Sequence, residues 1–339
     1  MSRSPSNAPV RVLEWVRFPN GIWNLPRELA NKLATDMADV AHVNVLCPAT
    51  REEADALLPE ADVVLGFAVR PATFARARRL RWIHSTAASV TGVLFPELVA
   101  SDVIVTNAKG LHADAMAEHA LAMMLAFTRK LHRARDAQRA HEWAQAVMWE
   151  QSPAIGSLAG GTLGLVGLGA IGAAIAVRAR ALGMRVLAVR RRPAVDPAPA
   201  DEQWPASRLH ELLPRVDWLV IVAPHTPETE RLIGREELAL LRTDARLMNL
   251  GRGALVDETA LIEALRSKQL AGAALDVFEN EPLSPTSPLW DLPEVILTPH
   301  TSGLAPRLWE RAMEQFEANL RRFIAGEPLE NVVDKKAGY

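Results

Sequence analysis

The chain has 339 residues, enough for two domains that each bury a core of their own. Apolar residues make up 49% and charged residues 23%, and the formal net charge of −2 gives no footprint for nucleic acid or an anionic membrane. Cys47 is the only cysteine, which excludes an internal disulfide and a cysteine-built metal cage and fits a reducing cytoplasm.

Residues 1–9 are polar and read as disordered, without the apolar core of a signal peptide. No run of about eighteen apolar residues occurs, so neither export nor a membrane span is expected. From residue 10 to residue 106, short apolar runs alternate with helical patterns. Strands are expected over 10–16, 43–47, 63–66, 82–85 and 103–106, and helices over 26–36, 52–58 and 72–78. Such alternation predicts a parallel sheet covered by helices.

Residues 113–131 carry Met116, Ala117, Ala120, Leu121, Met124 and Phe127 at helical spacing. This apolar face is wide enough to be buried on more than one side, which predicts a homodimer. Arg129, Lys130, Arg133, Arg135 and Arg139, with Asp136 among them, read as a solvated helix face. Residues 143–158 read as a loop-rich link. Six further strands are expected over 162–166, 185–189, 216–222, 246–250, 272–278 and 295–297, with a Pro/Ala-rich surface loop over 193–205. Residues 306–325 are amphipathic, with Trp309, Met313, Phe316, Leu320 and Phe323 on one helical face. A helix after a completed sheet needs another surface. Residues 107–300 therefore read as a dinucleotide-binding domain inserted into a first domain built from residues 1–106 and 301–339.

Gly167, Gly169 and Gly172 form G-x-G-x-x-G directly after a strand and at the start of a helix, with Ala170 and Ile171 inside the turn. The three glycines serve a tight turn, close approach of the backbone to a pyrophosphate, and close packing of helix on strand. The helix start then offers N–H groups and a positive dipole end to the phosphates. The next strand ends at Val189, where a cofactor with a free ribose 2′-OH meets an acid. Here Arg190, Arg191 and Arg192 follow instead. A guanidinium binds a 2′-phosphate in bidentate fashion whereas a carboxylate repels it, so NADP is the expected cofactor and NAD the weaker alternative. Pro224, Leu250 and Gly251, at the ends of later strands, are expected to border the cofactor.

Four ionisable residues follow strands in this second half: Arg252 in Asn249-Leu250-Gly251-Arg252-Gly253, Asp276 in Ala274-Leu275-Asp276-Val277, Glu281 in Glu279-Asn280-Glu281-Pro282, and His300 in Leu297-Thr298-Pro299-His300. Ligands of open α/β sheets bind beyond the carboxyl ends of the strands, so these positions converge on one crevice. Reduction of a carbonyl leaves an alkoxide that needs a proton, which histidine supplies near neutrality, and a neighbouring carboxylate fixes the ring. An anionic substrate would also need a cation, which suits planar arginine. No H-x-x-x-H spacing points to a metal and no G-x-S-x-G to a hydrolase.

Together with the glycine motif, Asn107-Ala108-Lys109-Gly110, Ala117-Glu118-His119 and Asn331-Val332-Val333-Asp334, these residues resemble the D-isomer-specific 2-hydroxyacid dehydrogenase family over nearly the whole chain. The resemblance implies an α/β fold in which a Rossmann-type domain is inserted into a flavodoxin-like substrate domain. It also implies an enzyme that interconverts a 2-oxo acid and a D-2-hydroxy acid, of the glyoxylate/hydroxypyruvate reductase kind. His300 would be the general acid/base, Glu281 its orienting partner, Arg252 the carboxylate-binding cation, and Asp276 a neighbour of the nicotinamide. Backbone N–H groups of Ala88, Ser89 and Val90 would hold the substrate carboxylate, and hinges near 107–113 and 300–306 would close the domains.

The chain departs from the family at Ser89 and Thr91, where Gly and Asp are commoner, and at Ala170, where many relatives carry Arg. His112 and His119 read as hinge and buried-helix residues, and His225 as a neighbour of the cofactor. A formate dehydrogenase of the same fold carries Gln where Glu281 stands. A cofactor-sensing co-repressor of the same fold shares the Arg–Glu–His set and is the rival from another class.

Overall fold

The apolar runs pair as expected of a chain that must bury strands on both faces. In the computed structural model, which describes residues 9–18, 21–40, 42–150, 154–193 and 199–339, two all-parallel sheets form. Strands β1 (Val10–Trp15), β2 (Val43–Leu46), β3 (Val63–Gly66), β4 (Trp82–Ser85) and β5 (Ile104–Asn107) lie in the order β2-β1-β3-β4-β5. Strands β6 (Thr162–Val166), β7 (Arg185–Arg190), β8 (Glu202–Pro205), β9 (Trp218–Ile221), β10 (Arg246–Asn249), β11 (Gly272–Leu275) and β12 (Val295–Leu297) lie in the order β12-β11-β10-β9-β6-β7-β8. Side chains alternate between faces. In β9, Trp218 and Val220 enter one core while Leu219 and Ile221 enter the other, which is why the strand is apolar throughout.

The chain divides into two compact units, Met1–Leu111 with Pro306–Tyr339, and His112–Ala305. The first is doubly wound about β1 and β3. Helix Leu308–Ala325 returns to it and buries Met313, Phe316 and Leu320, the Phe316 ring stacking on Trp82 with centroids 5.1 Å apart. Losing such a ring costs about 3–5 kcal/mol. Trp82 Nε1 donates to Thr106 Oγ1 at 2.8 Å, and His84 Nδ1 lies 2.8 Å from the same hydroxyl. The β5 edge is covered by the chain's end, where Val333 N donates to Val105 O at 2.8 Å and Asn107 N to Asn331 O at 3.2 Å. Lys335 Nζ then donates to the carbonyls of Leu98, Ser101 and Val103 at 3.1, 2.5 and 3.0 Å.

The second unit has the strand order of a dinucleotide-binding sheet, reversing between β6 and β9. Helix Ala113–Thr128 fills one of its cores with Met116, Ala117, Ala120, Met123, Met124 and Phe127, alongside Ile175, Ala176 and Ala179 of helix Ala170–Ala181. The wide apolar face is thus satisfied inside its own unit.

Several local expectations are corrected. The sheet has a seventh strand, because Glu202–Pro205 pairs with β7 where a surface loop was expected; residues 194–198 of that stretch lie outside the described residues. Trp204 explains the pairing, since its ring is buried in the core beside β7. The link over 143–158 contains helix Gln145–Glu150, with 151–153 outside the described residues, as are residues 1–8 of the expected disordered start. The helix expected over 72–78 is a single turn, Pro71–Phe74, because Ala77 and Leu80 leave it to enter the core. The basic run over 129–139 is not one helix face. Lys130 stands in a left-handed conformation (φ 53°) between two helices, is buried, and donates to Met148 O at 2.7 Å.

Candidate active site

Strand β6 ends in the glycine turn. Gly167 has φ +103°, and a Cβ there would lie 2.9 Å from Ala223 N. A Cβ on Gly172 would lie 2.2 Å from Gly167 O, so the turn and the helix touch through bare backbone. At Gly169 nothing lies within 4 Å of an added Cβ, which leaves the face before helix Ala170–Ala181 open. Ala170 and Ile171 begin that helix, whose first N–H groups need an outside acceptor. This cradle fits the pyrophosphate of a dinucleotide. Arg190 is the last residue of β7, half-buried, and Arg191 and Arg192 follow it exposed. Leu250 N donates to Ile221 O at 3.1 Å, and a Cβ on Gly251 would meet Ala223 O at 3.1 Å, which sets Leu250 and Gly251 beside the turn leading to Pro224.

The catalytic candidates stand at the same carboxyl edge of the sheet. Asn249, the last residue of β10, accepts from Gly251 N at 3.0 Å and donates to Arg252 O at 2.8 Å, so its side chain shapes the loop that carries Arg252. Arg252 Nη1 donates to Gly251 O at 2.7 Å. A Cβ on Gly253 would fall 1.9 Å from the Phe278 carbonyl, so only glycine lets this loop meet the one after β11. Burial holds the Arg252 guanidinium below its ordinary pKa, against the opposing charge of Glu281.

Glu281 and His300 form a pair. Glu281 Oε1 accepts from Phe278 N at 3.1 Å, and Oε2 accepts from His300 Nδ1 at 2.7 Å. Burial pushes the Glu281 carboxyl up, but the His300 and Phe278 hydrogen bonds and the His300 and Arg252 charges outweigh it and leave the pKa lowered. The His300 side chain is 42% exposed, so its far nitrogen can meet solvent or substrate.

Asp276, expected beside the nicotinamide, exposes no surface. Its carboxylate accepts from Thr298 Oγ1 at 2.6 Å, Thr301 N at 2.9 Å and Ser302 N at 3.0 Å. His119 Nε2 lies 3.1 Å from Thr298 Oγ1 and 4.0 Å from Asp276 Oδ1, so this helix residue reaches the carboxyl edge as well. Burial pushes the His119 pKa down, with the Asp276 charge opposing. His225 pairs with Glu230 at 2.5 Å, and His112 Nδ1 lies 2.9 Å from Gly303 O.

Ala88, Ser89 and Val90 belong to the first unit, in the loop after β4. Asn107 Nδ2 donates to Ala88 O at 2.7 Å, the Ser89 and Thr91 hydroxyls are 3.2 Å apart, and Val90 is buried. Within the second unit, Asn249, Thr298 and His119 shape the loops that carry Arg252 and His300 without having been singled out for it. The Asn-x-Gly turn at Asn249 was readable in the sequence. The His119–Thr298 contact spans 179 residues and left no local signal.

The sequence profile of the D-isomer specific 2-hydroxyacid dehydrogenase NAD binding domain matches residues 121–302. A glyoxylate reductase of Korarchaeum cryptofilum is 35% identical over 266 residues, covering 78% of this chain and 79% of the relative. A D-3-phosphoglycerate dehydrogenase of Mycobacterium leprae is 34% identical over 92% of this chain, which spans only 58% of that relative's length. The crystal structure of a D-isomer specific 2-hydroxyacid dehydrogenase from Xanthobacter autotrophicus Py2, in complex with NADPH and MES, superimposes with a TM-score of 0.79 at 30% identity, covering 98% of this chain and 100% of that one. An NADPH-dependent glyoxylate/hydroxypyruvate reductase from Sinorhizobium meliloti, in complex with NADP and sulfate, gives a TM-score of 0.78 at 28% identity, covering 97% and 100%. With the nucleotide cradle and the Arg252, Glu281 and His300 set in place, the chain belongs to the D-isomer specific 2-hydroxyacid dehydrogenase family.

Proposed function

We propose that this chain reduces a small 2-oxo acid of the glyoxylate or hydroxypyruvate type to the D-2-hydroxy acid, with NADPH preferred over NADH. The observation that carries the reading is the 2.7 Å contact between Glu281 and His300 Nδ1, next to a half-buried arginine whose charge Glu281 feels. In this reading Arg252 binds the substrate carboxylate through its planar fork and polarises the adjacent carbonyl. When bound, the nicotinamide supplies or accepts the hydride. His300 Nε2 gives its proton to the carbonyl oxygen as that oxygen becomes an alkoxide, and takes it back in the reverse direction. Glu281 holds the ring and stabilises its charged form.

Arg190, Arg191 and Arg192 support the choice of cofactor, since they stand where β7 ends and carry charge of the sign a 2′-phosphate needs. The NADPH and NADP named with two solved relatives agree with it. NADPH oxidation followed at 340 nm against a panel of 2-oxo acids, repeated with NADH and with His300→Ala, tests the whole reading. Turnover lost in the variant supports the reaction class, and the NADPH/NADH ratio decides the arginine argument. NADPH binding without turnover across the panel would return the chain to the cofactor-sensing class.

We further place the protein in the cytoplasm and as a homodimer. Among the described residues no helix is long and apolar enough to cross a membrane. Support for the dimer comes from Trp143, Trp149 and Leu131, which are 90%, 71% and 56% exposed on two successive helices and the loop between them. Light scattering that returned a monomer mass of 37.1 kDa would overturn it.

A further inference from the structure

One buried carboxylate controls the turn that carries His300. Asp276 follows β11 and accepts, at Oδ1, the Thr298 hydroxyl and Thr301 N, and at Oδ2, Ser302 N. Its own carbonyl accepts His300 N at 2.9 Å. Every one of these bonds goes to the short stretch 298–302. His300, in its middle, stands at φ +53°. This left-handed conformation costs a residue with a Cβ about 1–2 kcal/mol and persists only where the surroundings impose it.

We propose that Asp276 is a positioning residue for His300, and that Thr298 and His119 hold Asp276 to that task. The direction of each hydrogen bond follows from the groups involved. An ionised carboxylate only accepts, so Thr298 Oγ1 donates to Asp276. The same hydroxyl oxygen must then accept, which requires His119 to present a protonated Nε2. His119 thus carries a proton on Nε2, and the burial that pushes its pKa down favours the neutral ring. The chain His119 to Thr298 to Asp276 runs from helix Ala113–Thr128 to the turn after β12 within one unit. It orients the proton donor without touching substrate. Asp276 exposes no surface, and its side-chain hydrogen bonds go to the stretch that carries His300.

The inference rests on the reading of His300 as the acid/base, and the two are separable by experiment. Thr298→Val, Thr298→Ser, Asp276→Asn and His300→Ala would be compared by kcat, by KM for the 2-oxo acid, and by NADPH affinity from fluorescence titration. Thr298→Val removes one charge-assisted hydrogen bond, so kcat should fall about tenfold while NADPH affinity stays within about twofold. Thr298→Ser restores the hydroxyl and should recover most of kcat. Asp276→Asn places an amide N–H against Ser302 N or Thr301 N and should cost kcat about a hundredfold, again with NADPH affinity kept. Wild-type kcat in Thr298→Val overturns the proposal, as does an Asp276→Asn loss that appears as weak NADPH binding with kcat intact at saturation. If Asp276→Asn does not fold, the Thr298→Val and Thr298→Ser pair decides the matter alone. Full activity in His300→Ala would sink the acid/base reading itself, whatever Thr298 shows.

Discussion

Glu281 Oε2 lies 2.7 Å from His300 Nδ1, and that contact assigns the ring's two nitrogens. A carboxylate whose pKa is lowered is ionised at neutral pH and can only accept, so Nδ1 carries the proton it donates. Nε2 is then the nitrogen left free to exchange a proton with substrate in the proposed reaction. Exchanging Glu281 for Gln keeps the size but removes the charge that stabilises the imidazolium. Glu281→Gln should lower kcat about tenfold to a hundredfold, with a smaller change in KM. Steady-state kinetics with the preferred 2-oxo acid checks this, and unchanged kcat would dismiss Glu281 as partner.

The same pair has a consequence for acid stability. Glu281 titrates below its ordinary value of 4.5 in the folded chain, so the unfolded chain takes up the proton first. Its contribution is fully present above pH 4.5 and is lost as pH falls through the lowered value. Below pH 4.5, Glu281→Gln should therefore lose thermal stability less steeply than the parent, as read by melting temperature against pH.

Arg252 invites a sharper test than removal. Burial lowers its pKa, which a guanidinium tolerates because its ordinary value lies far above neutrality. A lysine in the same place starts near 10.4, lacks the planar fork, and would be driven towards its neutral form. Arg252→Lys should raise KM for the 2-oxo acid about tenfold or more and leave NADPH affinity unchanged. A lysine variant with parental KM would exclude bidentate recognition of the substrate.

Much of this site was legible because its parts are local. Gly167, Gly169 and Gly172 follow an apolar strand by direct succession, and Arg252 and His300 each follow a strand whose apolar run is unmistakable. Strands 63–66, 82–85, 162–166 and 295–297 coincide with the observed elements because turn residues bound them on both sides. Glu202–Pro205 was hidden because two polar residues and a proline weaken its pattern, and only the burial of Trp204 makes it a strand. Lys130 looked solvated because spacing says nothing about a left-handed break between two helices. The hydrogen bonds that Asp276 accepts from Thr298, Thr301 and Ser302 are tertiary and left no local signal.

Gly172 carries the tightest constraint in the cofactor cradle. An added methyl would sit 2.2 Å from Gly167 O, which is backbone and cannot swing away. Gly172→Ala must push helix Ala170–Ala181 off the turn and move its first N–H groups away from the phosphates. NADPH affinity should fall by about tenfold or more, since each charge-assisted hydrogen bond contributes about 1.5–3 kcal/mol. Fluorescence titration measures it, and parental affinity would mean that the phosphates bind elsewhere.

His84 predicts how the first unit answers to acid. Its imidazole is fully buried, Nδ1 lies against the Thr106 hydroxyl, and burial pushes its pKa from 6.5 to about 3. Between those values the unfolded chain binds a proton that the folded chain refuses. Stability is therefore fully present above pH 6.5 and falls as pH drops, by about 1.4 kcal/mol per pH unit from this one group. His119 and His132, also pushed down by burial, give the second unit a slope of the same sign. In His84→Phe the ring is kept against Trp82 and Phe316 but the titration is gone. Denaturant unfolding followed from pH 6.5 to pH 5 should give a visibly flatter dependence for the variant. Parallel slopes would mean that His84 is protonated without unfolding.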